Sequence, residues 1–525
     1  MIQYWRRKTR QRLTNPMYRR VAIAILLFVF STNVFRPWTQ SITHDEAFFQ
    51  SRFLTESLSR LFDSYDAGHH ILHTILCKIS ISLFGLSEFT LRLPSLLGGL
   101  LCLVTFFRLS RRLFGDGPLF LLSVSLLALN PQVLDYMSAA RGYGLALALF
   151  LWALYQMLEY AWAASGPGGG LLHSSRIYKA GIALALSVAS NLTLLVPATA
   201  LALIFLFVLV ADAAMGGDPR VARRLSSAID SFVVPGVVTA FVIVILPLTK
   251  AHRDSFYIGR PSLGESMANL VSASLYHHPL SGWLTTVLPL TEFLNVTLVK
   301  VLAPAVFAAT ILACLVVLRR WVRRRSFRDL EVADQFLLLC GGSMLFAVGL
   351  LVAANRVFQV LYPQGRTGLY LVPLFALTAL TLWVSIRKYR ALSFLTGLPL
   401  GVVAVLCLVQ FMAEFQVTRY SEWGFDSATK RIVQLIRERQ AKQPRASVRV
   451  GDSAVLEPAI NFYRRLYKLD WMQPVTRETP DGSYDYYVLT EQDTPLIEKL
   501  GLTVLFVDAG SGTALAVPGR RPPAP

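Results

Sequence analysis

Apolar stretches of about 20 residues recur through most of the 525-residue chain, and no other feature limits its fold as much. The hydrocarbon core of a bilayer takes ~20 apolar residues of helix to cross, and every backbone N–H and C=O inside it must be bonded within the segment. Eleven windows meet that need, near 21–38, 92–110, 117–134, 144–163, 179–194, 196–214, 231–249, 296–318, 334–354, 369–386 and 393–412. Hydrophobic residues make up 54% and charged residues 16% of the chain, which excludes an ordinary soluble domain. The expected fold class is therefore an α-helical polytopic membrane protein with about eleven transmembrane helices.

The net charge of +19 would raise the question of nucleic acid in a soluble protein. Here the basic residues cluster between alternate apolar windows, as the positive-inside rule expects, so no nucleic-acid partner is implied. One set holds residues 1–20 with seven Lys and Arg, then Arg108/Arg111/Arg112, Arg176/Lys179, Arg220/Arg223/Arg224, Arg319 to Arg328, and Arg387/Lys388/Arg390. These are expected in the cytoplasm. The other set, 39–91, 135–143, 250–295, 355–368 and everything after 413, gathers acids, histidines and aromatics and is expected outside. The run Val21 to Phe35 follows the basic start without a small-residue cleavage site, which reads as an uncleaved signal anchor. The segment His69 to Phe84 is interrupted by His73, Lys78, Ser80 and Ser82, and a crossing there would put Arg111 and Arg112 outside. An amphipathic helix lying at the interface satisfies both facts.

After Arg419 the composition changes. Helical patterns at 426–441, 457–468 and 494–500 alternate with strand patterns at 446–451, 484–489 and 502–507, which predicts a small α/β extracytoplasmic domain over 420–518. A Pro-rich tail, 519–525, follows it, and the transmembrane part is 21–415. The five cysteines form no CxxC pair, so neither a zinc ribbon nor a disulfide framework is expected.

Chemistry concentrates in the external loops. Residues 39–91 carry Thr43-His44-Asp45-Glu46 and, later, Asp66, His69 and His70. An acid at the lip of a bilayer can accept a proton from an incoming hydroxyl or amine; Asp45 and Glu46 can equally open a helix, since acids favour a first turn. His69 and His73 stand four apart, but without the acid of an HExxH pattern they read as structural or substrate-contacting side chains, as does the pair His277-His278. Arg141, beside Gly142 and Tyr143, can grip a phosphate with its planar fork or anchor the interface. Arg356, Tyr362 and Arg366 lie in a third external loop. Chance anchoring explains each loop singly and the set less well. Gly166 to Gly170 lack the Lys and Ser/Thr of a phosphate-binding loop.

These motifs, Thr43-His44-Asp45-Glu46-Ala47, Gly68-His69-His70-Ile71-Leu72, Leu83 through Ser95, Arg111-Arg112-Leu113-Phe114-Gly115 and Asn130-Pro131 through Arg141-Gly142-Tyr143, resemble the N-terminal module of GT-C membrane glycosyltransferases. The nearest groups are the protein O-mannosyltransferase and aminoarabinose lipid A transferase relatives; Tyr362 to Pro373 resembles a later motif more loosely. The resemblance implies a catalytic acid at Asp45 with Glu46 beside it, and juxtamembrane helices in the first loop. It implies a donor sugar on a polyprenyl monophosphate, with Arg141, Tyr143, Arg356 and Arg366 expected at the donor phosphate and His44, Asp66, His69, His70 and Tyr362 at the substrate. The expected activity is transfer of a hexosyl or pentosyl group, with inversion, to an extracytoplasmic glycan, lipid or protein, in a bacterial inner membrane. The family often has His-Pro-Pro or Lys-Pro-Pro where this chain has His69-His70-Ile71, and an acid where it has Gly142-Tyr143-Gly144. Those departures leave the acceptor and a divalent metal ion open, and no metal ligands are assigned. The rival readings are a transporter or flippase, which would show repeated halves and midplane ionisable residues, and a non-catalytic assembly protein.

Overall fold

The computed structural model of the chain describes residues 15–57, 68–163, 170–216, 219–245, 249–250, 258–276 and 288–519. Asp66, His277, His278, Gly166 to Gly169 and the tail beyond residue 519 lie outside the described residues. Helix α1 (Pro16–Thr39) is capped by Asn15, whose side chain accepts the Met17 N–H. It is followed by a short helix α2 (His44–Phe49) and by α3 (Ile71–Phe84). The bundle continues through α4 (Glu88–Phe114), α5 (Pro118–Ala128), the single-turn-and-a-half α6 (Pro131–Tyr136), α7 (Gly142–Ala163), α8 (Gly170–Ser190), α9 (Leu195–Gly216) and α10 (Pro219–Ala240). Helix α11 (Leu263–Leu275) precedes the long α12 (Pro289–Arg324), then α13 (Val332–Phe358), α14 (Leu371–Ile386) and α15 (Arg390–Glu414).

Each of the eleven apolar windows holds a helix. Eight of these helices, α1, α4, α7, α9, α10, α12, α13 and α15, are long and apolar enough to cross a membrane. Of the other three, α5 and α14 are shorter and α8 carries Arg176 and Lys179. The core forms where α7 packs between α4 and α8, while α8 also packs on α10. Outer helices such as α15 turn large apolar side chains outward, among them Leu395, Leu398, Val402 and Met412, the pattern expected of a surface solvated by lipid. Helix α3 is too short to span and leaves Leu83 and Phe84 exposed while His73, Thr74 and Cys77 are buried, in keeping with an interfacial helix.

The two ends of the bundle differ. At one end Glu159, at the close of α7, pairs with Arg112 of α4 and Arg176 of α8, and the Asn15 N–H donates to the Asp116 carbonyl. The other end collects residues 40–46, the α6–α7 turn, the start of α14 and the chain leaving α15. Arg112, Arg176 and the chain before α1, which the sequence groups together by charge, thus meet at one end.

The C-terminal domain consists of α16 (Thr429–Lys442), β1 (Val450–Asp452), α17 (Glu457–Leu466), β2 (Tyr486–Leu489), α18 (Pro495–Lys499), β3 (Leu502–Val507) and β4 (Ala514–Pro518). The sheet order is β1-β2-β4-β3, with β1 and β2 parallel and the other pairs antiparallel. The last strand was not expected; it sits between β2 and β3 and completes the sheet. Ile42, Ala47, Phe49 and Leu91 share one apolar core with Ile432, Ile460, Phe462 and Tyr463, so the domain is packed onto α2 rather than tethered beside it.

Candidate active site

Helix α2 begins with a reciprocal cap: the Thr43 hydroxyl accepts the Glu46 N–H at 3.2 Å, and the Glu46 carboxylate accepts the Thr43 N–H at 3.0 Å. The same carboxylate takes two bonds from Arg92, at 2.8 and 2.6 Å, and one from the Ala140 N–H at 2.6 Å. Burial raises the Glu46 pKa, but Arg92 and these bonds outweigh it and hold the group below its ordinary value. Glu46, expected beside the catalytic acid, is thus enclosed and fully bonded, and its position is that of a clamp between α2, α4 and the α6–α7 turn.

Asp45 turns the other way. Its Oδ2 lies 3.0 Å from Arg366 Nη1 and 3.6 Å from Arg141 Nη2, and its side chain keeps 21% of its surface exposed. Neither contact has the alignment of a directed hydrogen bond, so both are ion pairs. Burial pushes the carboxyl up, but Arg141, Arg366, His44 and a hydrogen bond with Trp423 together hold it below the usual carboxylate range.

Arg141 reaches this place because α7 starts very close to its neighbours. A Cβ on Gly142 would stand 1.9 Å from the Ser190 carbonyl oxygen and 2.8 Å from His70 Cβ, so only glycine fits. His70 lies edge-on to Tyr143 with centroids 5.2 Å apart, and its buried Nε2 has no hydrogen-bond partner. Burial, with Arg141 close by, pushes the imidazole well below its ordinary pKa, so it is neutral. Arg366 lies over the rings of Tyr143 and Trp423, at 5.8 and 5.6 Å.

The structure thus brings Asp45, Arg141, Tyr143, His70 and Arg366 together. The remaining expected residues sit elsewhere. His44 donates its backbone N–H to Asp426 at 2.5 Å, and its Nδ1 meets the Val455 carbonyl oxygen at 2.6 Å, so it ties α2 to the C-terminal domain. His69 stacks on Phe53 at 4.6 Å. Tyr362 pairs through its backbone with Arg260, both bonds 2.9 Å, and braces the loop that carries Arg366. Arg356 is exposed in the last turn of α13 and takes part in none of the ion pairs around Asp45.

Residues 419–426, which leave α15, form a wall of the site that was not expected from the sequence. Ser421 bonds Asp135, itself paired with Arg36 at 2.8 Å. Tyr420 lies between the guanidiniums of Arg36 and Arg92. Glu422 pairs with Arg366 at 2.7 Å and accepts the Tyr136 hydroxyl, while Trp423 bonds Asp45. The signal was the run Tyr420-Ser421-Glu422-Trp423-Gly424-Phe425-Asp426, rich in acids and aromatics just past the last span on the external side.

Among the described residues no three His, Cys, Asp or Glu side chains form a metal-ligand group. Two guanidiniums flank Asp45 and would repel a divalent cation there, so the residues around Asp45 do not fit a resident metal ion.

No family model and no curated protein sequence matches the chain. Among solved structures it is similar to an Archaeoglobus fulgidus oligosaccharyltransferase, crystallised with Zn and sulfate, at 13% identity and a TM-score of 0.43, over 94% of this chain and 73% of that one. It is also similar to ArnT from Cupriavidus metallidurans in the apo state, at 13% identity and a TM-score of 0.41, over 96% and 98% of the two chains. The same ArnT bound to undecaprenyl phosphate gives 13% identity and 0.39, over 97% and 99%. Likenesses this distant transfer no residue roles.

Proposed function

We propose that this chain is a membrane glycosyltransferase that moves a hexosyl or pentosyl group from a polyprenyl-phosphate carrier to a glycan, lipid or protein acceptor on the non-cytoplasmic face. The observation that carries this is a partly exposed carboxylate held between two arginines, one of which, Arg366, lines a polar cleft. A cavity of about 170 Å³, walled by Leu129, Leu270, Phe307, Phe375 and Phe411, lies among α5, α11, α12, α14 and α15. A small opening shares Pro131 and Phe411 with it, and shares Asp135, Tyr276 and Ser421 with a polar cleft of about 440 Å³ lined by Gln132, Asn269, Gln364, Arg366, Glu422 and Trp423. The apolar cavity has room for only part of an isoprenoid tail, and the polar cleft suits a phosphate and sugar.

In this mechanism the acceptor hydroxyl or amine attacks the anomeric carbon from the side opposite the phosphate. The new bond to that carbon forms as the bond to the phosphate oxygen breaks, and the carrier phosphate leaves with the electron pair. The acceptor proton passes to Asp45, and the configuration inverts. Arg366 and Arg141 stabilise the departing phosphate, as fixed cations do best in a water-poor cleft. Asp45 is a weak base while both arginines face it; phosphate drawing on Arg366 raises its proton affinity as the acceptor arrives. His70 and Tyr143 would contact the sugar. The basic loops toward the opposite end of the bundle support a non-cytoplasmic position for Asp45, in this reading in a bacterial inner membrane.

The test is transfer from an undecaprenyl-phosphate sugar by the protein in nanodiscs, the donor and acceptor being found by comparing envelope glycans with and without the gene. Asp45→Asn should lower turnover ~10²–10⁴-fold while carrier binding persists. Full activity in that variant would rule the mechanism out.

A further inference from the structure

The guanidinium that would receive the carrier phosphate is already engaged by an anion. Glu422 Oε1 lies 2.7 Å from Arg366 Nη1, the same nitrogen that faces Asp45, and the Tyr136 hydroxyl donates to the other oxygen of Glu422. The Glu422 side chain is 46% exposed, it belongs to no helix or strand, and it lines the 440 Å³ cleft into which it can turn. The Arg366 side chain is 13% exposed, so water screens this pair from the Glu422 side, where the acid can give way to a better anion.

We infer that Glu422 is an exchange anion for the carrier phosphate: it neutralises Arg366 in the empty enzyme, yields it to the donor, and returns to displace the product. This rests on the reading of Arg366 as a phosphate ligand. The charges support it. In the empty site Arg141 and Arg366 are balanced by Asp45 and Glu422. The donor is a phosphodiester with one negative charge, so its entry with Glu422 turned out leaves the site neutral again. After transfer the carrier is a monoester of nearly twice that charge, and Asp45 holds the acceptor's proton, so the balance persists and the product is retained. Once Asp45 loses that proton to water the site carries an excess of negative charge, and Glu422 competes for Arg366 as the monoester departs. A carboxylate therefore stands where the reaction leaves its most tightly held ligand.

The experiment is a titration of the full chain in nanodiscs with undecaprenyl monophosphate, read by native mass spectrometry, for wild type, Glu422→Gln, Tyr136→Phe and Arg366→Gln. Glutamine keeps the side-chain size and removes the competing charge. It should tighten binding roughly threefold to tenfold and strengthen product inhibition by the same factor. Tyr136→Phe, which frees one anchor of the acid, should tighten it less. Unchanged or weaker binding in Glu422→Gln, with binding still lost in Arg366→Gln, overturns the exchange alone. Carrier binding by Arg366→Gln equal to wild type overturns the phosphate reading and the exchange with it. A parallel arm with inorganic phosphate separates the sources: a gain with both ligands supports exchange with phosphate as such, a gain with the lipid alone supports exchange with a tail-anchored phosphate, and a gain with neither overturns it.

Discussion

Asp45 and Glu46 are adjacent acids, yet their partners make them opposite in use. Every oxygen of Glu46 is bonded inside the protein, to Arg92, Ala140 and Thr43. Removing one partner of a buried ion pair leaves the other charge uncompensated, at a cost of ~3–5 kcal/mol. Glu46→Gln should therefore lower the thermal unfolding midpoint markedly, whereas Asp45→Asn should move it little while turnover collapses; a stable Glu46→Gln protein would contradict the clamp. The pH dependence of Asp45 has a defined sign. Its pKa is depressed in the folded protein, so the group stays ionised on the acid side of the ordinary value of about 3.9. The acidic limb that it contributes to kcat/KM should accordingly lie below that value, and Arg366→Gln, which removes one of the two guanidiniums, should move the limb upward. A limb that does not move would mean that Arg366 does not act on Asp45.

Helix α7 is held in place by its first residue. With a Cβ at Gly142 overlapping the Ser190 carbonyl oxygen, Gly142→Ala must shift α7 away from α8 and carry Arg141 with it. Carrier binding and activity should both fall, and the same change at the open position Gly401 should do neither. In the C-terminal domain Asp452, at the end of β1, has both oxygens buried without partners. Burial, with Glu457 close by, raises its pKa to about 8 even though Arg477 acts against this. A raised pKa means that the unfolded chain releases this proton first, so stability declines as pH rises from the ordinary carboxylate range to about 8 and then levels. Asp452→Asn should flatten that decline in unfolding curves taken across this range. The spans were legible in the sequence because a 20-residue apolar window admits almost no other fold, and Asp45 was legible as part of a motif. Glu46 and Arg92 were not read as a pair because the bond joins two helices at positions 46 residues apart, which no local pattern records. Arg356 was grouped with Arg366 by proximity in sequence, but α13 runs on to Phe358 and leaves Arg356 on the outside of its last turn. Strand β4 escaped notice because a five-residue strand in a Pro- and Gly-rich terminus carries little periodic signal.

The C-terminal domain and the membrane bundle form one machine. Its helix α17 lies against α2, and the Tyr463 hydroxyl accepts the Ile42 N–H at 2.7 Å while reaching Glu88 at 3.0 Å. Asp426 and the Val455 carbonyl hold His44 from the same side. Two contacts thus hold His44, the residue that precedes Asp45, and a third holds Ile42, all three from chain that follows the last span. The α/β domain expected from the sequence over 420–518 is thus joined to the helix that carries Asp45. Tyr463→Phe tests this with little disturbance of packing, because it removes only an oxygen from a ring that stays in the shared core. It leaves the buried Ile42 N–H without its acceptor, a loss of ~1–3 kcal/mol, and loosens α2 at its start. Since ~1.4 kcal/mol in the transition state is tenfold in rate, kcat should fall by about that factor. The KM for the donor should hold, because the Tyr463 hydroxyl bonds Ile42, Ser41 and Glu88 and lines neither the apolar cavity nor the polar cleft. A rise in KM with kcat unaltered would instead place the domain at the substrate, and equal kinetics for the two proteins would return it to the role of an appendage.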